Sequence, residues 1–172
     1  MRSGLALVFL LVAIAACSNN GAVKREDGSM PPAPSHPGEP GAKQPKVYIA
    51  TPNGEVTITT EVVNTWPKIE KGLMFREHLG LDDGMLFFMG YENDHAFYMR
   101  NTLIPLDMIF IKKDMTVGGV YENAEPRTET LRKVGVPTLY VLEVNGGYAR
   151  AHGVIAGAKV RFEAMPPVPS GK

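Results

Sequence analysis

Leu106-Asp107-Met108-Ile109-Phe110-Ile111 constrains this chain more than any other stretch. Side chains alternate across a strand, so Leu106, Met108 and Phe110 face one way, and Asp107, Ile109 and Ile111 the other. Both faces are apolar, which predicts a central strand covered on both sides. Pro105 cannot donate to a ladder and fits at the start of that strand. Asp107 is the exception, because a carboxylate in such company needs a partner. The preceding residues, Ala96 to Arg100, also alternate and are predicted to form a strand of their own. Asn101-Thr102 then makes a bend, since both side chains compete for backbone hydrogen bonds.

The rest of the globular part reads as short strands with two helical interruptions. Val47 to Ala50 and Val56 to Thr59 flank Pro52-Asn53-Gly54, a hairpin pattern. At Thr65 the period changes: Thr65 suits a helix N-cap, and Pro67 lies in the first turn. Trp66, Ile69 and Leu73 recur at helical spacing, with Arg76 next on that face if the helix runs so far. Gly72 weakens the helix and points to close packing. Met85 to Met89 is an apolar strand, and Gly90 to Asp94 a turn. Thr116 to Tyr121 is a strand with a bulge at its glycines, and Glu122 to Pro137 a surface loop. Leu139 to Val144 is a strand, Tyr148 to His152 a helical turn stopped by Gly153, and Lys159 to Glu163 the closing strand.

Several blocks stand in a familiar order: Gly72-Leu73-Met74-Phe75-Arg76, Gly84-Met85-Leu86-Phe87, Tyr98-Met99-Arg100-Asn101-Thr102 and Ile104-Pro105-Leu106-Asp107. Glu122-Asn123-Ala124, Leu142-Glu143-Val144-Asn145 and His152-Gly153 follow. Together they resemble the bacterial and archaeal family known as domain of unknown function 192, over about Val47 to Glu163. The resemblance implies a compact, mostly β domain and no particular reaction. The expected fold is therefore mainly β, with α+β character only minor. It is a single β-sandwich or barrel-like domain over residues 46–163 with one or two short helices.

The N-terminus reads as a targeting segment. Arg2 followed by the apolar run Leu5 to Ala16 predicts a signal peptide over residues 1–16. That run is shorter than the roughly twenty residues a spanning helix needs. Ile14-Ala15-Ala16-Cys17 resembles a bacterial lipoprotein signal, which makes Cys17 the lipidation candidate; the alternative is an ordinary cleaved signal with an incidental cysteine. Residues 17–45 then form the lipidated cysteine and a disordered Pro/Gly-rich tether, and residues 164–172 a flexible tail. Ser18 resembles signals sorted to the periplasmic face of an outer membrane, where the host has one. The expected partners are the membrane, through lipid on Cys17, and a small ligand or an envelope protein. Nucleic acid is not expected, because 18 basic and 18 acidic residues provide no bulk attraction for it.

Between Val47 and Glu163 there is no serine, cysteine or glutamine. Serine or cysteine nucleophilic catalysis thus lacks its attacking group in the folded domain. No phosphate-cradling or dinucleotide-binding glycine motif occurs, and no cofactor or metal is expected. Three constellations remain. Asp107 and Glu143, with Arg76 and Arg100 nearby in the motif order, are either an acid/base pair for a carbohydrate or internal partners of the two arginines. Met74, Met85, Met89, Met99 and Met108 with His78, His95 and His152 either hold copper or fill core gaps. Asn101, Thr102, Glu122, Asn123, Asn145 and His152 either line a pocket or serve turns and caps. The leading reading is an envelope lipoprotein whose domain is a non-catalytic ligand-binding or accessory module. Its ligand candidates are Arg76, Arg100, Asn101, Thr102, Asp107, Glu122, Asn123, Glu143 and Asn145. A carboxylate-based hydrolase of envelope carbohydrate, using Asp107 and Glu143, is the alternative, and a copper protein the third.

Overall fold

The structure, a computed structural model, describes residues 43–167. The signal peptide, Cys17, the tether up to residue 42 and the tail from residue 168 lie outside the described residues. The elements are β1 (Lys46–Thr51), β2 (Gly54–Val63), α1 (Trp66–Lys71), β3 (Asp83–Asn93), β4 (Leu106–Ile111), β5 (Val117–Ala124), β6 (Thr138–Asn145), α2 (Tyr148–His152) and β7 (Val160–Glu163). The strands form one mostly antiparallel sheet in the order β5-β4-β6-β3-β2-β1-β7, curled into a half-barrel. β2 and β3 are parallel, which requires a crossover, and α1 with the loop after it supplies one.

The curl gives the sheet an inner and an outer face. Val47, Ile49, Ile58, Leu86, Ile109, Leu142 and Val160 pack together on the inner face. Both edge strands reach that cluster, through Val117 of β5 and Val160 of β7. The two edges also meet at one end, where Thr116 bridges Lys159 and the Val117 amide donates to the Ala158 carbonyl at 2.9 Å. Met85, Phe87, Met89, Met108, Phe110 and Val141 form the second core on the outer face, with Leu73 and Met99 over them. β4 is buried along its whole length, with Met108 and Phe110 outward and Ile109 and Ile111 inward, as its alternation predicts.

Asp107 lies on the inner side of β4 and is fully buried. Its Oδ1 accepts the Asn123 amide at 2.6 Å and the Gly147 amide at 2.9 Å. Its Oδ2 accepts the Ala149 amide at 2.7 Å. These donors belong to the end of β5, the turn after β6 and the first turn of α2, so one side chain holds three segments. α2 needs such a partner, since its N-cap, Gly147, has no side chain to offer. Asn123 accepts a left-handed backbone (φ 51°), which asparagine tolerates better than most residues.

One predicted strand is absent. Ala96 to Arg100 runs as a loop over the outer core and pairs only at Phe97, which bridges Arg132. The alternation is real, with His95 and Met99 buried, but the neighbour is itself irregular. Phe97 exchanges bonds with Arg132, whereas the Met99 amide reaches Thr128 rather than residue 130, so no ladder can run. Arg132 shapes that neighbour by donating to the Thr130 and Glu125 carbonyls and to the Thr128 hydroxyl. β3 is longer than predicted: it passes an irregularity after Phe88, where Gly90 has φ 80°, and ends at Asn93.

Asp107→Ala orphans three buried amides, at roughly 1–3 kcal/mol each before relaxation. Urea unfolding is expected to show a loss of about 3 kcal/mol or more, with Asp107→Asn intermediate because its one carbonyl oxygen still accepts. A loss below about 1 kcal/mol for Asp107→Ala would contradict this role.

Candidate functional site

A cavity of about 300 Å³ opens on the outer face. Phe87 and Met89 of β3 and Glu143 of β6 line its sheet side. Its remaining walls are α1 with the turn behind it (Trp66, Ile69, Leu73, Met74) and the Ala96–Thr102 segment. The cavity lies beside α1, which touches the outer core through the partly buried Ile69. None of the helix's residues is buried, and Trp66 is 65% exposed. The apolar stripe of Trp66, Ile69 and Leu73 is present: Leu73 is buried in the outer core, Ile69 packs against it, and all three also line the cavity. The helix stops at Lys71, short of Arg76, because Gly72 adopts φ 46° and ψ −134°, a conformation open mainly to glycine. A Cβ at Gly72 would also stand 3.3 Å from the Phe87 ring. Close packing at this glycine thus sets the angle between α1 and the sheet. Phe97 completes the wall by meeting Phe87 edge to face, with ring centroids 5.2 Å apart.

Glu143 is the buried ionisable group among these surfaces, at 5% exposure, and Thr102, the other buried polar lining residue, is equally covered. It stands opposite Met85 of β3 on one side and Met108 of β4 on the other. Directly opposed residues share a face, so two thioethers flank the carboxyl. Among the described residues no donor or cation reaches it. Burial alone pushes its pKa up from 4.5 to about 8, and no neighbouring charge contributes. The group is therefore mostly a neutral carboxylic acid at pH 7.

The two expected carboxylates do not meet. Asp107 is opposite Val144, and Glu143 opposite Met108, in the same β4–β6 ladder. Adjacent strand positions point to opposite faces, so the sheet separates the two side chains. They cannot flank one bond as acid and base, and that geometry for a hydrolase is lost. Nor do the arginines pair with them. Arg76 binds Glu61, and Arg100 donates to Glu129 at 2.9 Å.

Of the nine ligand candidates, Thr102 and Glu143 line the cavity. The others are engaged elsewhere. Asn101 has φ 56° and accepts the Phe75 amide through its carbonyl at 2.8 Å. The Asn145 side chain donates to the Gly80 carbonyl at 2.7 Å and fastens the loop before β3. Glu122 accepts from Arg150 at 2.9 Å at the surface, and Asn123 lends its amide to Asp107. Turn chemistry accounts for the three asparagines, and a surface ion pair with Arg150 for Glu122. His95 and His152 each contact the carbonyl of the residue four places earlier, Tyr91 at 3.0 Å and Tyr148 at 2.9 Å. Met85, Met89, Met99 and Met108 belong to the outer core. The walls from α1 and the turn behind it were not in the candidate set. Their apolar helical spacing is the signal, and it reads equally well as a core-facing stripe.

Residues 48–162 match the family DUF192, described as "Uncharacterized ACR, COG1430". The chain belongs to the DUF192 family. No curated protein matches it. Two solved structures of similar fold are also similar in sequence. A Novosphingobium aromaticivorans protein of unknown function is 40% identical, with a TM-score of 0.66 over 67% of this chain and 83% of that one. A Sinorhizobium meliloti protein, described provisionally as a transcription regulator, is 34% identical. Its TM-score is 0.64, over 74% of this chain and all of that one.

Glu143 links stability of this DUF192 domain to pH. The folded state keeps a proton that the unfolded chain releases near pH 4.5, so its stability is fullest below that value. Stability then falls as pH rises towards about 8, by up to about 1.4 kcal/mol per pH unit. Urea midpoints between pH 5 and 8 are expected to decline more steeply for the wild type than for Glu143→Gln. Parallel curves would contradict the buried neutral acid.

Proposed function

We propose that this DUF192 protein is an envelope lipoprotein whose β domain binds a small, mainly apolar ligand in the cavity between α1 and the β3–β6 face, without catalysis. The observation that carries the ligand reading is a lined cavity of about 300 Å³ with a buried carboxyl that has no partner among the described residues. Binding sites for small molecules have this form, mostly apolar walls with few polar groups to fix orientation. The domain also lacks serine and cysteine between Val47 and Glu163, which supports a binding role over covalent catalysis.

The lipoprotein part rests on the N-terminal pattern ending at Cys17. Among the described residues no helix is long and apolar enough to cross a membrane, so membrane attachment in this reading is through acyl chains on that cysteine. The regulator description of the Sinorhizobium relative fits this chain poorly. The described helices span six and five residues, and the 18-to-18 charge balance offers DNA no electrostatic footprint.

Two measurements test the reading. In a fragment screen by thermal shift, compounds that stabilise the wild type are expected to lose their effect on Ala96→Trp, which narrows the mouth at an exposed position. They are expected to keep it on Glu122→Ala. Equal stabilisation of Ala96→Trp places the ligand elsewhere. Expressed in a Gram-negative host, the full chain is expected to fractionate with membranes and Cys17→Ser to become soluble or remain unprocessed; identical fractionation and processing would remove the lipid anchor.

A further inference from the structure

The chemistry of the cavity also restricts what its occupant must carry, an inference that rests on the ligand-binding reading above. We propose that the site takes an uncharged, largely apolar molecule bearing one carbonyl-type oxygen, which accepts a hydrogen bond from the Glu143 carboxylic acid.

Three features of the site support that class. First, the walls around the carboxyl are apolar: Ile69, Leu73, Phe87, Met89 and Phe97. A void of roughly 150 Å³ is enough for benzene, so about 300 Å³ has room for a ring with a substituent. Second, among the described residues no cation compensates the acid. The nearby arginines are committed to Glu61 and Glu129, and the charged residues lining the cavity, Glu70 and Lys71, are exposed residues of α1. A neutral acid is what such a site can hold without compensation. Third, a neutral carboxylic acid on the wall of an apolar cavity is a hydrogen-bond donor to which no group among the described residues offers an acceptor. A carbonyl oxygen supplies the missing acceptor and introduces no second charge. An ammonium ligand would instead require the acid to ionise and two charges to be stripped of water together. A carboxylate ligand would bring a second acid to the same floor.

The groups facing Glu143 from the packed elements are few. Met85 and Met108 flank it on β3 and β4, with Glu70 and Lys71 on α1 and Tyr98 and Thr102 on the loop. On the same outer face Glu61, paired with Arg76, stands beyond Met85, and Tyr121, beneath Arg132, beyond Met108. None contributes to the displacement of the Glu143 pKa. Any pH dependence of binding in the range around pH 8 is therefore assigned to Glu143 itself, and its variants report on it directly.

The experiment is a set of titrations of the ¹⁵N-labelled full-length protein with toluene, acetophenone, benzylamine and benzoate, between pH 6 and 10. Acetophenone is expected to bind at least tenfold more tightly than toluene at pH 6. It is expected to lose about tenfold per pH unit once the acid ionises, above about pH 8. Glu143→Gln keeps a donor and is expected to retain the acetophenone preference with a flat pH profile. Glu143→Met is expected to bind toluene and acetophenone alike. The inference is overturned if benzylamine is preferred with affinity rising with pH, if benzoate is preferred, or if acetophenone shows no advantage over toluene. If none of the four probes binds, toluene included, the ligand-binding reading of the cavity falls as well.

Discussion

The Asp107 carboxylate with its three amide donors is the contact on which the rest of the domain depends. β4 is buried on both faces, so a charge on it must be answered within the fold. Asn123, Gly147 and Ala149 answer it from three separate segments. The result is a fixed corner where β5 ends, β6 turns and α2 begins. Gly146 completes the corner: its amide donates to the Pro105 carbonyl at 2.9 Å, and a Cβ there would stand 3.0 Å from the Pro105 side chain. With that corner set, β4 and β6 stay in register, and the register decides that Glu143 emerges on the outer face beside Met85 and Met108.

Two carboxyls on neighbouring strands thus meet the cost of burial in opposite ways. Asp107 is satisfied by amides and is a structural element. Glu143 has no donor among the described residues and retains its proton, so its burial is tolerable only because it is uncharged. The inner face, where the sheet edges meet between Thr116 and Lys159, is filled by aliphatic side chains together with Phe88 and Tyr148. The outer face is covered by a short helix and three irregular segments, which contribute Leu73 and Leu79, then Phe97, Met99 and Ile104, and then Val134. Its incomplete covering leaves the space against Glu143. The cavity lies between that covering layer and the sheet.

The strand framework was legible in the residues because its signals are local. The alternation of Leu106 to Ile111, the Pro-Asn-Gly hairpin and the Gly153 stop each fix geometry within a few positions, and the structure follows them. Ala96 to Arg100 carries the same alternation without becoming a strand, because a ladder also needs a regular neighbour, and the Thr128–Arg132 segment is not one. The site was half legible. A glutamate among apolar strand residues marks Glu143, whereas the choice of partner for Arg76 and Arg100 depends on tertiary distances that spacing does not encode. The asparagines at 101, 123 and 145 illustrate the ambiguity of turn residues, which resemble binding residues in composition. The α1 stripe was visible as apolar periodicity, but that it meets both the outer core and the cavity depends on Gly72 and the Phe87 ring.

The state of the Glu143 carboxyl in the free protein is the point on which fold and function converge. Its side-chain ¹³C resonance, followed from pH 4 to pH 10 and assigned by its loss in Glu143→Gln, reads that state directly. The account predicts a titration centred near 8, as burial requires. A titration near 4.5, the ordinary value for a solvated glutamate, would show a hydrated carboxylate and contradict the buried, neutral acid.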